Sequence, residues 1–144
     1  MEDSISSKKY VQLDHTGDIQ IKVFGSSITE LFNNAAFALF DVMTDTSKID
    51  SQLAETIEVT GIDKEELLVN WLSELNYLFL TESKIFHKFE IEHFKNNELT
   101  GTAIGEKYNS HKHPLHTEIK AVTFHDLLIE KVSDHWETKI VFDI

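Results

Sequence analysis

Hydrophobic and polar positions along the chain recur with two different periods. Ile19, Ile21 and Val23 alternate with Gln20 and Lys22, the period-two pattern of a strand with one buried face. Residues 10–14 (YVQLD) form a shorter strand candidate before it. Gly25 closes the alternation. Ser27 followed by Glu30 has the spacing of a capping box, in which each side chain satisfies a free N–H of the first helical turn. Ile28, Leu31, Phe32, Ala35, Leu39 and Val42 then predict an amphipathic helix to about Met43. The polar run 44–52 reads as a loop, and Ile57 and Val59 between Glu58 and Thr60 as a strand closed by Gly61.

Asp63 and Glu66 repeat the capping spacing. Leu67, Leu68, Trp71, Leu72, Leu75, Leu78 and Phe79 define a second helix to about residue 81. From residue 84 onwards the pattern is that of strands: 86–94, 98–108, 117–124, 127–132 and 136–143. Asn96-Asn97 and Ser133-Asp134 occupy hairpin-turn positions. The break in alternation between Phe86 and Phe89 marks a bulge. The order is ββαβα followed by about five strands. It predicts an α+β fold of one domain spanning 1–144, two amphipathic helices packed on a largely antiparallel β-sheet, with 1–9 a flexible N-terminal segment.

Composition narrows the function classes. The 144 residues include Lys+Arg 13 and Asp+Glu 25, a formal charge of −12. That field repels phosphate, so direct nucleic-acid binding is not expected. Cysteine is absent, which excludes disulfides, thiolate nucleophiles and Cys-ligated metal sites. No apolar run is long enough to span a bilayer, and MEDSISSKKY lacks the apolar centre of a secretory signal, so a cytoplasmic location without membrane contact is expected. There is no Walker-type loop, GxSxG elbow, HExxH or dinucleotide fingerprint. Core packing accounts for the aromatic residues of the two helices more simply than a partner groove does.

Three segments could carry chemistry. His111, His113 and His116 crowd the loop HKHPLH and invite a metal reading; no acid lies within it, and solvated loop histidines are the favoured reading. Asp14-His15-Thr16-Gly17-Asp18 could bind a hard divalent cation or orient a proton transfer, although Asp, Thr and Gly are also ordinary turn residues. At the other end, Trp136, Thr138, Ile140, Phe142 and Ile144 fall on one strand face, opposite Glu137, Lys139, Val141 and Asp143. The alternation reaches Ile144, so this end is expected to be tied into the sheet with a free carboxylate beside Asp143. Neighbouring anions repel, so a cation or a Lys, with Lys120 a candidate, is expected between them.

The same stretches resemble the archease family: LDHTGD at 13–18, ELFNNAAFALFDVMTD at 30–45, ELLVNWLSELNYLFLTE at 66–82, GEKY at 105–108, HTEIKAVTFH at 116–125 and the final IVFDI. The match runs from about Tyr10 to Ile144. One departure is Gly17, where the family more often carries Ala. The resemblance implies an accessory protein of the RtcB-type RNA ligase, which joins tRNA halves after intron removal. In that role the protein is not an enzyme. It promotes attachment of GMP to the ligase histidine, permits multiple turnover and broadens nucleotide use. It also implies a divalent ion, Ca²⁺ by family with Mg²⁺ or Mn²⁺ as alternatives, held by Asp18, Asp143 and Ile144. Lys120, Asp14 and His15 are the implied activation or partner-contact residues, and tRNA is met only through the ligase. Two other classes stay open: a chaperone-like modulator of RNA-processing enzymes such as a tRNA methyltransferase, and a free-standing metal-dependent hydrolase using Asp14 or His15.

Overall fold

The computed structural model describes residues 8–13, 17–124 and 126–144. Of the expected flexible segment 1–9, residues 1–7 lie outside that range. In chain order the elements are β1 (Tyr10–Leu13), β2 (Asp18–Gly25), α1 (Ile28–Met43), β3 (Leu53–Thr60), α2 (Lys64–Glu82), β4 (Lys84–Lys95), β5 (Glu98–Lys107), β6 (Ala121–Thr123), β7 (Glu130–Val132) and β8 (His135–Asp143). The α+β class and the ββαβα-then-five-strand order therefore hold. Within the expected loop, a short 3₁₀ turn over Thr46–Lys48 is capped by the Asp45 carboxylate.

The strands divide into two antiparallel sheets instead of one. The larger runs β1-β2-β8-β6, with β7 also on β8; the smaller runs β3-β5-β4. Strand β8 is the centre of the larger sheet. Its residues 136–143 pair with β2 along the whole length, while β6 and β7 take the two ends of its other edge. Helix α1 packs against β2 and β4, and α2 against β3 and β6, so both helices bridge the sheets.

That placement corrects the expectation for α1. Leu31, Phe32, Ala35, Leu39 and Val42 are buried as expected, but so are Asn34, Ala36, Ala38, Phe40 and Met43. A helix covered by a sheet on each side has only a narrow solvent face. Its two asparagines serve one sheet each: Asn34 Nδ2 donates to Phe24 O and Asn33 Nδ2 to Phe89 O, both at 2.7 Å. An aromatic seam joins α1 to β4, with Phe40 edge-on to Phe86 at 5.5 Å and Phe32 edge-on to Phe94 at 4.8 Å. Buried Trp71 donates from Nε1 to Phe32 O at 3.1 Å, tying α2 to α1.

Both caps form, with one difference. Ser27 and Asp63 accept from the N–H of Glu30 and Glu66. The glutamates reach back to the N–H of Ser26 and Ile62, one residue before each cap. Asn96 and Asn97 both have positive φ, as the tight β4–β5 turn requires. The register shifts between Phe86 and Lys88, where a bulge is expected, and again between Ile91 and His93.

Two expected strands are shorter. In 117–120 the Ile119 carbonyl is taken by Asn76 Nδ2 of α2 at 2.8 Å. Near 127–129, Leu128 O accepts from Thr138 Oγ1 and Ile129 N–H donates to Glu65 Oε2. Side chains there occupy backbone groups that a ladder would use.

Gly105 faces Phe86 across the β4–β5 ladder, and a Cβ on it would stand 1.8 Å from Ile85 O. Gly105→Ala is expected to cost about 2 kcal/mol or more, because backbone must move to admit the methyl. Urea denaturation should show a lower midpoint with an unchanged slope.

Candidate functional site

Asp18 opens β2 and Asp143 closes β8, and the register sets them directly opposite one another. Ile21, Val23, Thr138, Ile140 and Phe142 point into the core. Alternation therefore puts Asp18 and Asp143 together on the outer face, at one end of the larger sheet. Side chains directly opposite on antiparallel strands have Cβ atoms about 5 Å apart, and like charges placed so are destabilising. On the other side of Asp143 lies Ala121 of β6, and the Lys120 N–H donates to Asp143 O at 2.7 Å. Ile144 follows, 40% exposed. Four of the sequence candidates, Asp18, Lys120, Asp143 and Ile144, thus meet at one corner.

Two details differ from the sequence expectation. The Lys120 main chain, instead of its ammonium, anchors on Asp143; its side chain is exposed, with no hydrogen-bond or ion-pair partner among the described residues. The group placed opposite Asp143 is a second carboxylate, Asp18. A corner of carboxylate and main-chain oxygens is the donor set a hard divalent cation takes, so these residues fit such an ion. Asp14 and His15 lie outside the described residues. Gly17, next to Asp18, has φ +87, a conformation that L side chains rarely adopt.

The HKHPLH loop has a different role for each histidine. His113 is 0% exposed and accepts the Asn109 N–H on Nδ1 at 2.9 Å. Its Nε2 therefore carries the proton and donates to Glu106 Oε2 at 2.9 Å. Lys112 bridges Glu106 at 2.7 Å and Asp50 at 2.6 Å, and the Asp50 N–H also donates to Glu106. Burial pushes the Glu106 carboxyl up, but the bonds from Lys112, Asp50 and His113 outweigh it and hold the group at about 2. His111 and His116 are exposed. Among the described residues no group of three or more His, Asp or Glu side chains could hold a metal ion. This loop is a structural latch.

A second polar cluster escapes sequence reasoning. Glu137 accepts from His135 Nε2 at 2.9 Å and pairs with Lys22 at 3.0 Å. Burial raises its carboxyl, and the two partners together draw it below the usual range. Lys22 and Glu137 are far apart in sequence, and only the β2–β8 register joins them. A hollow on α2, lined by residues that include Asn76, Tyr77 and Lys120, is likewise absent from the helical pattern, which ranks positions by burial alone.

Comparison with known proteins adds an independent line. The sequence model described as the Archease protein family (MTH1598/TM1083) matches residues 10–144. The chain is 43% identical over 141 residues to Protein archease of Methanosarcina acetivorans, covering 95% of this chain and 97% of that one. To Protein archease of Sulfurisphaera tokodaii it is 38% identical over 138 residues, covering 95% and 99%. Among solved structures, the solution structure of Methanobacterium thermoautotrophicum protein 1598 superposes with a TM-score of 0.78 at 33% identity, over 94% of this chain and 99% of that one. The crystal structure of a Thermotoga maritima protein described as an archease, possible chaperone, superposes with a TM-score of 0.67 at 25% identity, over 92% and 94%.

The latch makes a prediction that needs no partner. Glu106 has a depressed folded pKa, so its stabilisation is present above the ordinary carboxylate value near 4.5 and is lost as pH falls towards about 2. Glu106→Gln should lower the melting temperature by a few degrees at pH 7. Melts between pH 7 and pH 2 should then show the wild-type advantage shrinking below about pH 4.5.

Proposed function

Because the chain belongs to the archease family, we propose that it activates an RtcB-type RNA ligase, promoting attachment of GMP to the ligase histidine and repeated turnover in tRNA ligation. The observation that carries this reading is the Asp18–Asp143 pair, two carboxylates set opposite each other at one end of the larger sheet. Asp18 and Asp143, with a main-chain oxygen of Ile144, would hold one divalent ion, Ca²⁺ or otherwise Mg²⁺ or Mn²⁺. Such an ion supplies charge stabilisation and alignment for phosphate groups. The chain's own part is to bring these oxygens, on a rigid sheet end, to the ligase active site, and to widen the nucleotides the ligase accepts. Lys120, Asp14 and His15 are the neighbouring contact positions.

A net charge of −12 favours approach to a ligase groove made basic for RNA, and tRNA is then reached only through the ligase. In this role the protein performs no bond-making of its own, and it works in the cytoplasm. No described helix is long and apolar enough to cross a membrane. A chaperone-like action on partner proteins, a tRNA methyltransferase among them, is the second reading. It is favoured by the description of the Thermotoga maritima relative as a possible chaperone.

The test is guanylylation of the cognate ligase with labelled GTP and Mn²⁺, with and without substoichiometric amounts of this protein. The wild type should accelerate it, while Asp18→Ala and Asp143→Ala, folded by circular dichroism, should each lose the stimulation. Both variants stimulating normally sinks the acidic-corner mechanism. No acceleration by the wild type favours the chaperone-like reading. Separately, Ca²⁺ should raise the melting temperature of the wild type and leave the Asp18→Ala, Asp143→Ala double variant unmoved.

A further inference from the structure

Asn76 is a polar residue that the apolar pattern of α2 does not account for. It lies on the buried side of the helix with Leu72, Leu75 and Phe79, and is only 3% exposed. Its Nδ2 donates to Ile119 O at 2.8 Å, while its Oδ1 has no hydrogen-bond partner among the described residues. A buried acceptor left unpaired costs stability, and a leucine of the same branched shape would avoid that cost. Packing alone therefore does not explain an amide here. What the amide supplies is its bond to Ile119.

That bond falls on a particular peptide unit. The Ile119 carbonyl and the Lys120 N–H belong to one planar group. Asn76 holds the oxygen end of it, and the N–H end donates to Asp143 O at 2.7 Å. A planar unit gripped at both ends cannot turn without breaking one of the two bonds. Hydrogen bonds linked in this way also polarise and strengthen one another. The Ile119 side chain, fully buried, fixes the same unit from the core.

The place where this chain of bonds ends is the acidic corner. Asp18 is the first residue of β2 and Asp143 the last of β8, so the pair forms the final rung of that ladder. Final rungs are where strands open first. On its other edge β8 is held there only by β6, which pairs with Val141, Phe142 and Asp143. The Lys120 N–H lies just before β6 and adds one more bond at Asp143 itself. Helix α2, set in the core, thus reaches the corner through one side-chain amide and one peptide.

We propose that Asn76 is a positioning residue for the acidic corner, holding the Ile119–Lys120 peptide so that its N–H keeps Asp143 in place for a divalent ion. This inference rests on the preceding reading that Asp18, Asp143 and Ile144 hold such an ion. Asn76 itself touches no ion; it acts through the main chain of residues 119 and 120.

The experiment compares the wild type with Asn76→Leu and Asn76→Ala, both of which remove the donor. Leu99→Ala, which opens a cavity in the smaller sheet, is the control for lost stability. Ca²⁺ binding is measured by isothermal titration calorimetry well below every melting temperature, and amide exchange at Lys120 by NMR. Both Asn76 variants should bind Ca²⁺ at least about tenfold more weakly, as groups that orient metal ligands typically do when removed. Their Lys120 amide should exchange at least about tenfold faster than in the wild type, with the β4–β5 amides unchanged. Leu99→Ala should melt lower yet keep the wild-type Ca²⁺ affinity. Asn76 variants that bind Ca²⁺ like the wild type, or a Leu99→Ala that weakens binding as much, overturn the positioning role and leave the ion reading standing. A wild type that binds none of Ca²⁺, Mg²⁺ and Mn²⁺ overturns both.

Discussion

The burial of α1 on nearly every side is the constraint on which the rest of the structure depends. A 16-residue helix with Leu, Phe, Ala and Met around most of its circumference can be kept from water only by a layer on each side. The two sheets are those layers. The single-strand excursion of β3 between the helices, and the hairpin β4–β5 after them, build the smaller layer; β1, β2 and the C-terminal strands build the larger. Asn33 and Asn34, adjacent on α1 yet bonded to opposite sheets, show how little slack the arrangement leaves. Because the helix contacts both layers, neither can shift without opening the core.

That rigidity reaches the acidic corner through the register of β2 and β8. Ile21 opposite Ile140 and Ile19 opposite Phe142 lock the inner face. A slip of one residue would turn every one of these side chains outward, so apolar burial fixes the pairing. Asp18 and Asp143 inherit their opposition from that pairing. The hydrophobic register thus sets two carboxyl-bearing residues across from each other. A positive φ at Gly17 delivers the chain into β2 at this point.

Charge elsewhere is organised around few lysines. Lys112 spans Asp50 and Glu106, Lys84 pairs with Glu55 and Glu82, and Lys22 with Glu137. Each joins segments distant in sequence, and buried His113 adds a neutral donor to the first group. Lys120 holds the acidic corner by its main chain, whose N–H donates to Asp143 O.

The sequence by itself determined the elements: the alternation from Ile19 to Val23, the helical spacing from Leu67 to Phe79 and both caps are local properties, and local physics writes them into neighbouring residues. The archease resemblance was legible in the same way, as was the inward and outward division of β8. Tertiary structure decided what depends on residues far apart. It split the strands into two sheets, buried α1 on nearly every side and cut short the strands at 117–124 and 127–132, where Asn76 and Glu65 captured their backbone groups. It separated His113 from His111 and His116, three residues that look equivalent in HKHPLH. It also brought Asp18 beside Asp143 and left Tyr77 and Leu80 bare, because periodicity says which side of an element is apolar but not which neighbour will cover it.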